Sequence, residues 1–212
     1  MDTDALIRTL AADITRPSWP LSRTWWAALA AATGLAALVF FTAVGPRADF
    51  AEAIATLRFP FKFVVTSVLA VSAFGLLRAI SRPEAEARTL WASLLAAPVL
   101  VLAAVVIELL VVPQNDWAAR LIGTNNIHCL VLIPLIGAGP LGLFLLALRH
   151  GAPPRPGRAG AVAGLLAGGL AATFYAAHCF DDSPLFVATW YTIPIAGLTA
   201  IGALLGGRIA RW

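Results

Sequence analysis

Six apolar runs, each about as long as a bilayer is thick, leave this chain few ways to fold. They cover residues 25–44, 61–80, 90–112, 127–147, 160–180 and 185–206. An α-helix needs about 20 apolar residues to cross roughly 30 Å of hydrocarbon, and each run meets that length. The runs are continuous rather than alternating, which excludes a closed β-barrel. The predicted fold is all-α, a polytopic membrane protein built as a bundle of six transmembrane helices. Charge agrees: only 12% of the residues are charged, about half the share that keeps a soluble domain in water. The first run is too long for a signal-peptide core and follows a segment carrying Asp2, Asp4 and Asp13, so it is expected to stay as an uncleaved span.

The basic residues orient the bundle. Arg8, Arg16 and Arg23 precede span 1, Arg78, Arg82 and Arg88 join spans 2 and 3, Arg149, Arg155 and Arg158 join spans 4 and 5, and Arg208 and Arg211 follow span 6. These eleven of the fifteen basic residues share one side, leaving Arg47, Arg58, Lys62 and Arg120 on the other. Positive charge stays in the cytoplasm, so both termini are expected there. Because the arginines flank apolar segments, orientation and anionic lipid account for the net charge of +4, and no nucleic-acid partner is implied. Trp19, Trp25, Trp26, Trp91 and Trp212 are expected in the inner aromatic belt and Trp117 in an outer loop. The segment Gly151 to Gly157, with Pro153, Pro154 and Pro156, reads as a stiff spacer between two halves.

Within the spans, small residues recur at close-packing intervals. Gly160, Gly164 and Gly168 form one stripe and Gly202 with Gly206 another, and such stripes let helices approach closely. Packing inside the bundle is the expected use. Pro134, Gly137, Gly139 and Pro140 interrupt span 4, which predicts a kink or local unwinding near mid-membrane. Glu108 is the single acid inside a span. An intramembrane carboxylate is a candidate polar site, with Arg58, Lys62, Arg120 or His128 as partner. Lying four residues from the boundary, it also has the simpler option of reaching the interface. Asn125 and Asn126 are expected to cap span 4.

Chemistry concentrates in two dipeptides. The chain's two cysteines each follow a histidine, as His128-Cys129 and His178-Cys179. With an inside N-terminus, the first pair opens span 4 and the second closes span 5, at matching depth on the outer side. Consecutive helices joined by a short loop are usually antiparallel neighbours, so these ends can reach the 4.4–6.8 Å Cα separation a disulfide needs. Three chemistries fit: a permanent disulfide in an oxidising compartment, a zinc or soft-metal site using all four donors, and a reversible thiol switch tuned by the histidines. Adjacent helical residues point about 100° apart, which weighs against one metal taking both members of each pair. Asp181 and Asp182 are expected to raise a neighbouring thiol pKa.

Residues 1–24 read as a cytoplasmic N-terminal segment, with residues 25–212 as the six-helix domain. Residues 3 to 16 predict a short helix ending before Pro17. Leu6, Ile7, Leu10, Ala11 and Ile14 share one face, with Asp4, Arg8 and Arg16 away from it. Two arginines against three aspartates make a poor anionic-lipid helix, and the pattern better fits a helix laid into a protein groove. An interfacial helix is the simpler alternative.

The opening Thr3-Asp4-Ala5-Leu6-Ile7-Arg8-Thr9-Leu10-Ala11, with His178-Cys179-Phe180-Asp181-Asp182-Ser183-Pro184-Leu185-Phe186 and Trp190-Tyr191, resembles the NrsF/OsrA family of six-span anti-sigma factors of the bacterial inner membrane. The resemblance runs the length of the chain, and the stretch around Cys179 is its most specific part. It implies a regulator without cofactor or catalysis, which holds an extracytoplasmic-function (ECF) sigma factor until oxidative or heavy-metal stress releases it. It also places the family's two sensing cysteines on Cys129 and Cys179, at the periplasmic side, and its sigma-binding segment on roughly residues 1–24. Asp4, Leu6, Ile7, Leu10, Ala11 and Ile14 are then the candidate contacts, with His128 and His178 as tuning residues. Two other classes remain: a small transporter or channel using the broken span 4 and Glu108, and a thiol oxidoreductase. The second lacks a Cys-x-x-Cys motif or a further cysteine pair to relay electrons.

Overall fold

A long apolar segment can satisfy its backbone in lipid only as a helix, and all six runs do so. A computed structural model of the chain describes residues 3–5, 7, 20–82 and 88–209, with Arg88 by its backbone alone. Among the described residues there are helices and no strands. The spans are α1 Leu21–Ala43, α2 Arg58–Ile80, α3 Thr89–Val111, α4 Asn126–Leu148, α5 Pro156–Ala176 and α6 Pro184–Ile209. One-turn helices at Phe50–Ala53 and Trp117–Ile122 decorate the α1–α2 and α3–α4 connections. Six crossings return the chain to the face it started from. One face therefore carries Leu21, Ser81, Gly151 and Ile209; the other carries both cysteines.

α5 is the buried centre of the bundle, and its sequence explains why. Gly160, Ala163, Gly164, Ala167, Gly168, Ala171 and Ala172 are all buried and leave room for neighbouring backbones. Along one side the backbone of α6 lies directly on it: a methyl on Gly160 would strike the Gly202 carbonyl, and one on Gly164 the Leu198 carbonyl. The glycine stripes thus serve packing inside the bundle, where dispersion replaces the hydrophobic effect. Gly164→Ala is expected to cost at least about 1–3 kcal/mol, because the obstacle is backbone and cannot rotate away. Thermal unfolding in detergent measures it, and an unchanged midpoint would contradict this packing. α3 is the least buried span, standing off the bundle against α2 and the start of α6.

Some boundaries and details differ from expectation. The first span begins at Leu21 rather than residue 25. Trp25 is not part of an aromatic belt: it is buried in the core with Phe74, Leu77 and Phe144, while Trp26 and Trp91 are exposed. α4 runs unbroken through Pro134 and Pro140, because a helix tolerates the missing N–H groups when its neighbours pack the site. The irregularity lies in α6 instead, where Val187–Tyr191 form a π-helical turn. α5 ends at Ala176, four residues before the end of its apolar run. His178-Cys179 therefore sits in a non-helical link, 177–183, between α5 and α6.

Candidate functional site: a thiol pair beneath an ion-paired cap

The link 177–183 exposes backbone groups that no helix satisfies, and the cysteine face closes over them. The Ala177 carbonyl accepts the Arg47 N–H at 3.0 Å. His178 donates from Nδ1 to the Gly45 carbonyl at 2.9 Å, at a glycine whose φ of 74° ends α1. The Cys179 carbonyl accepts Lys62 Nζ at 2.8 Å and Arg47 Nη1 at 3.3 Å. Asp181 Oδ2 accepts the backbone N–H groups of Thr124 and Asn125 at 2.9 and 2.7 Å. It caps α4 from across the face, whereas the Asn125 side chain expected there points its amide at Asp181 at 3.1 Å. Asn126 Oδ1 accepts only the N–H of the next residue, Ile127, at 2.7 Å.

Every basic residue of this face is paired. Lys62, fully buried, meets Asp182 at 2.5 Å, and Arg47 reaches Asp182 at 3.1 Å while forking onto both oxygens of Asp49 at 2.6 Å. That fork holds the Asp49 carboxyl below its ordinary pKa. Glu108 is buried, not reaching for the interface. Its Oε1 takes Arg120 at 3.2 Å and Arg58 at 3.5 Å. Its Oε2 accepts Ser183 Oγ at 2.7 Å and the Leu185 N–H at 3.2 Å, where α6 begins. Of the four partners weighed for it, the two arginines are there, and its further role at the start of α6 had no signal in the sequence.

Under this cap lie the thiols. Cys129, in the first turns of α4, and Cys179 are both fully buried in the same core cluster and carry free thiols. Tyr175 Oη stands 3.5 Å from Cys129 Sγ, and Cys179 Sγ is 3.7 Å from the Asp181 carbonyl. The Tyr191 hydroxyl, delivered by the π-turn, faces Cys179 without completing a hydrogen bond. His128 is exposed and His178 half-buried on the Gly45 carbonyl. Among the described residues no three His, Cys, Asp or Glu side chains are grouped to hold a metal ion.

The charge of Asp181 and Asp182 does not dominate at Cys179, since α4's N-terminus and the Lys62/Arg47 pair take it up. Cys179 is held below the ordinary thiol value: the neighbouring Cys129 thiol favours its thiolate, burial opposes, and the Lys62 ammonium attracts the thiolate. A lowered pKa keeps the thiolate present at lower pH. The pH profile of Cys179 alkylation by a small membrane-permeant reagent is therefore expected to rise earlier than a free thiol's, and Cys129→Ala to move it later. A profile that ignores Cys129 would contradict this.

In the N-terminal segment, the backbone of Thr3, Asp4, Ala5 and Ile7 is helical, and Asp4 and Ile7 are exposed. Leu6, Leu10, Ala11 and Ile14 lie outside the described residues.

Fold and site together define a six-helix membrane protein with a buried dithiol on one face. The chain belongs to the NrsF family, negative regulator of sigma F, whose model matches residues 10–212. It is 34% identical to the anti-sigma-F factor NrsF of Caulobacter vibrioides over the whole of both chains. It is also 34% identical to a probable anti-sigma-F factor NrsF of Azospira oryzae, over 70% of this chain and 69% of that one. No solved structure matches.

Proposed function

We propose that this chain is a membrane anti-sigma factor that holds an ECF sigma factor on its terminal face, through residues 1–24, and releases it when Cys129 and Cys179 are oxidised. The observation that carries the reading is the thiol pair, buried in one core cluster beneath a link tied to five other elements. Full-length similarity to an anti-sigma-F factor supplies the partner class. The charge distribution supports a periplasmic cysteine face: Arg47, Arg58, Lys62 and Arg120 are all neutralised there. On the other face, among the described residues, Arg78, Arg82, Arg149, Arg155, Arg158 and Arg208 have no carboxylate at ion-pair distance. Uncompensated positive charge is typical of the cytoplasmic side of a membrane protein, which favours this orientation.

The chemistry needs a two-electron acceptor such as a peroxide. The Cys179 thiolate attacks a peroxide oxygen, the O–O bond breaks, and a sulfenic acid forms as the other oxygen leaves protonated. The Cys129 sulfur then displaces water, forming the S–S bond. Two electrons and the thiol protons have gone to the oxidant. Because the Cys179 carbonyl holds Lys62 and Arg47, and Asp181 and Ser183 hold α4 and Glu108, any shift of the link is felt by α1, α2, α3, α4 and α6. Moving a pool from mostly bound to mostly free takes a difference of about 5 kcal/mol between redox states.

The test is co-purification. The wild-type chain is expected to retain a sigma factor under reducing conditions and lose it on peroxide treatment, while Cys129→Ser/Cys179→Ser retains it throughout. Normal release from the double variant would end the switch reading. A transporter or oxidoreductase predicts no sigma partner at all.

A further inference from the structure

On the terminal face, between the first turn of α1 and the last turns of α2, lies a notch of about 260 Å³ lined by Ser22, Trp25, Gly75, Arg78, Ala79 and Arg82. Its polar side chains are hydrogen-bond donors, and among the described residues no carboxylate lines it. The start of α1 has Pro20 as its N-cap, with no side-chain cap and no acidic residue in its first turn, so unsatisfied N–H groups and the positive end of the helix dipole face this corner. Arg78 and Arg82 have no ion-pair partner among the described residues. Trp25 is 1% exposed, and its indole N–H has no hydrogen-bond partner, an omission that costs free energy unless a ligand repairs it. The floor is open: a side chain built on Gly75 meets nothing within 4 Å.

We propose that this notch binds the phosphate of an anionic phospholipid. Its place favours lipid over a soluble ligand. The Arg78 guanidinium lies 5.2 Å above the ring of Trp26, which is 55% exposed, and 5.6 Å from that of Phe74. This arginine therefore stands where an aromatic belt meets the headgroups. Two unpaired guanidinium groups and a helix N-terminus ask for a net-negative headgroup rather than a zwitterionic one. Ser22 and Trp25 lie in the first two turns of α1, so the bound lipid sits where that span enters the membrane. The site does not depend on the sigma-factor reading.

Native mass spectrometry of the full chain in detergent, titrated with phosphatidylglycerol and with phosphatidylcholine, tests this. The wild type is expected to hold one phosphatidylglycerol more tightly than the rest and to show no such preference for phosphatidylcholine. Arg78→Gln/Arg82→Gln is expected to weaken that molecule at least about tenfold. Gly75→Leu keeps every charge and fills the notch, so it is expected to do the same and serves if the arginine variant fails to fold. Equal binding of phosphatidylglycerol by wild type and both variants would overturn the proposal. So would displacement of the lipid by millimolar inorganic phosphate, which would make this a free-anion site. If both variants bind phosphatidylglycerol like the wild type but lose sigma binding in lipid-free detergent, the notch belongs to a protein partner instead.

Discussion

Lys62→Met is expected to lower stability by about 3 kcal/mol, the lower end of what breaking a buried ion pair costs. The side chain is fully buried, so methionine preserves most of its volume and the loss is electrostatic. What disappears is the 2.5 Å pair with Asp182, the 2.8 Å hydrogen bond to the Cys179 carbonyl and the cation above the Phe59 ring at 5.2 Å. Asp182 keeps Arg47 at 3.1 Å and is itself about one-fifth exposed, which holds the cost at the lower end. Thermal unfolding in detergent measures the effect, and Lys62→Met/Asp182→Asn separates the pair from the rest: if the charges are coupled, the double variant loses less than the sum of the singles. A Lys62→Met protein as stable as wild type would mean that this buried ammonium stabilises nothing. The same variant removes the positive charge favouring the Cys179 thiolate, so its alkylation profile is expected to move to higher pH. Stability and thiol reactivity on this face thus share one cation.

What sequence reasoning could reach follows from the range of each interaction. Spans were legible because crossing hydrocarbon is a property of a run of residues taken alone, and the internal role of Gly160 and Gly164 followed from a spacing within one helix. Where α5 stops was not legible. Ala177, His178, Cys179 and Phe180 continue an acceptable apolar run, but Arg47 and Lys62 claim the Ala177 and Cys179 carbonyls from other elements. The same reason hid Asp181: a carboxylate 56 residues from Asn125 caps α4, while local pattern pointed to the asparagines. Trp25 looked like a belt residue because its place in the sequence cannot tell a lipid-facing ring from a core one. The π-turn at Val187–Tyr191 has no composition of its own, yet it presents Tyr191 to the thiols.

The candidate site is therefore better regarded as a property of the link than of two cysteines. Cys129 sits on a regular helix and would be placed there by α4 alone. Cys179 is placed by its neighbours in sequence, each tied to a different element. A covalent change at Cys179 cannot be absorbed locally, because the groups that would have to move are buried and paired, and a broken pair is costly.

Glu108 tests how far that coupling extends. Glu108→Ala is expected to cost about 3–6 kcal/mol, since hydrogen bonds to a charged acceptor contribute about 1.5–3 kcal/mol and two are lost, from Ser183 Oγ and the Leu185 N–H. The arginines add little to this: Arg58 and Arg120 are 46% and 33% exposed and regain water when released. Glu108→Gln separates the two contributions. Its amide oxygen still accepts from Ser183 and Leu185, so it is expected to cost about 1 kcal/mol, a neutral hydrogen bond replacing a charged one. If the two variants are equally damaging, the ion pairs matter and the cap on α6 does not. Hydrogen exchange gives the local readout: the Leu185 amide is expected to exchange faster in Glu108→Ala and to stay protected in Glu108→Gln. Because α6 passes from that amide directly into the π-turn that presents Tyr191 to Cys179, fraying there is also expected to speed thiol alkylation. Alkylation unchanged in a Glu108→Ala protein with an exposed Leu185 amide would show that α3 and the thiol pair are independent.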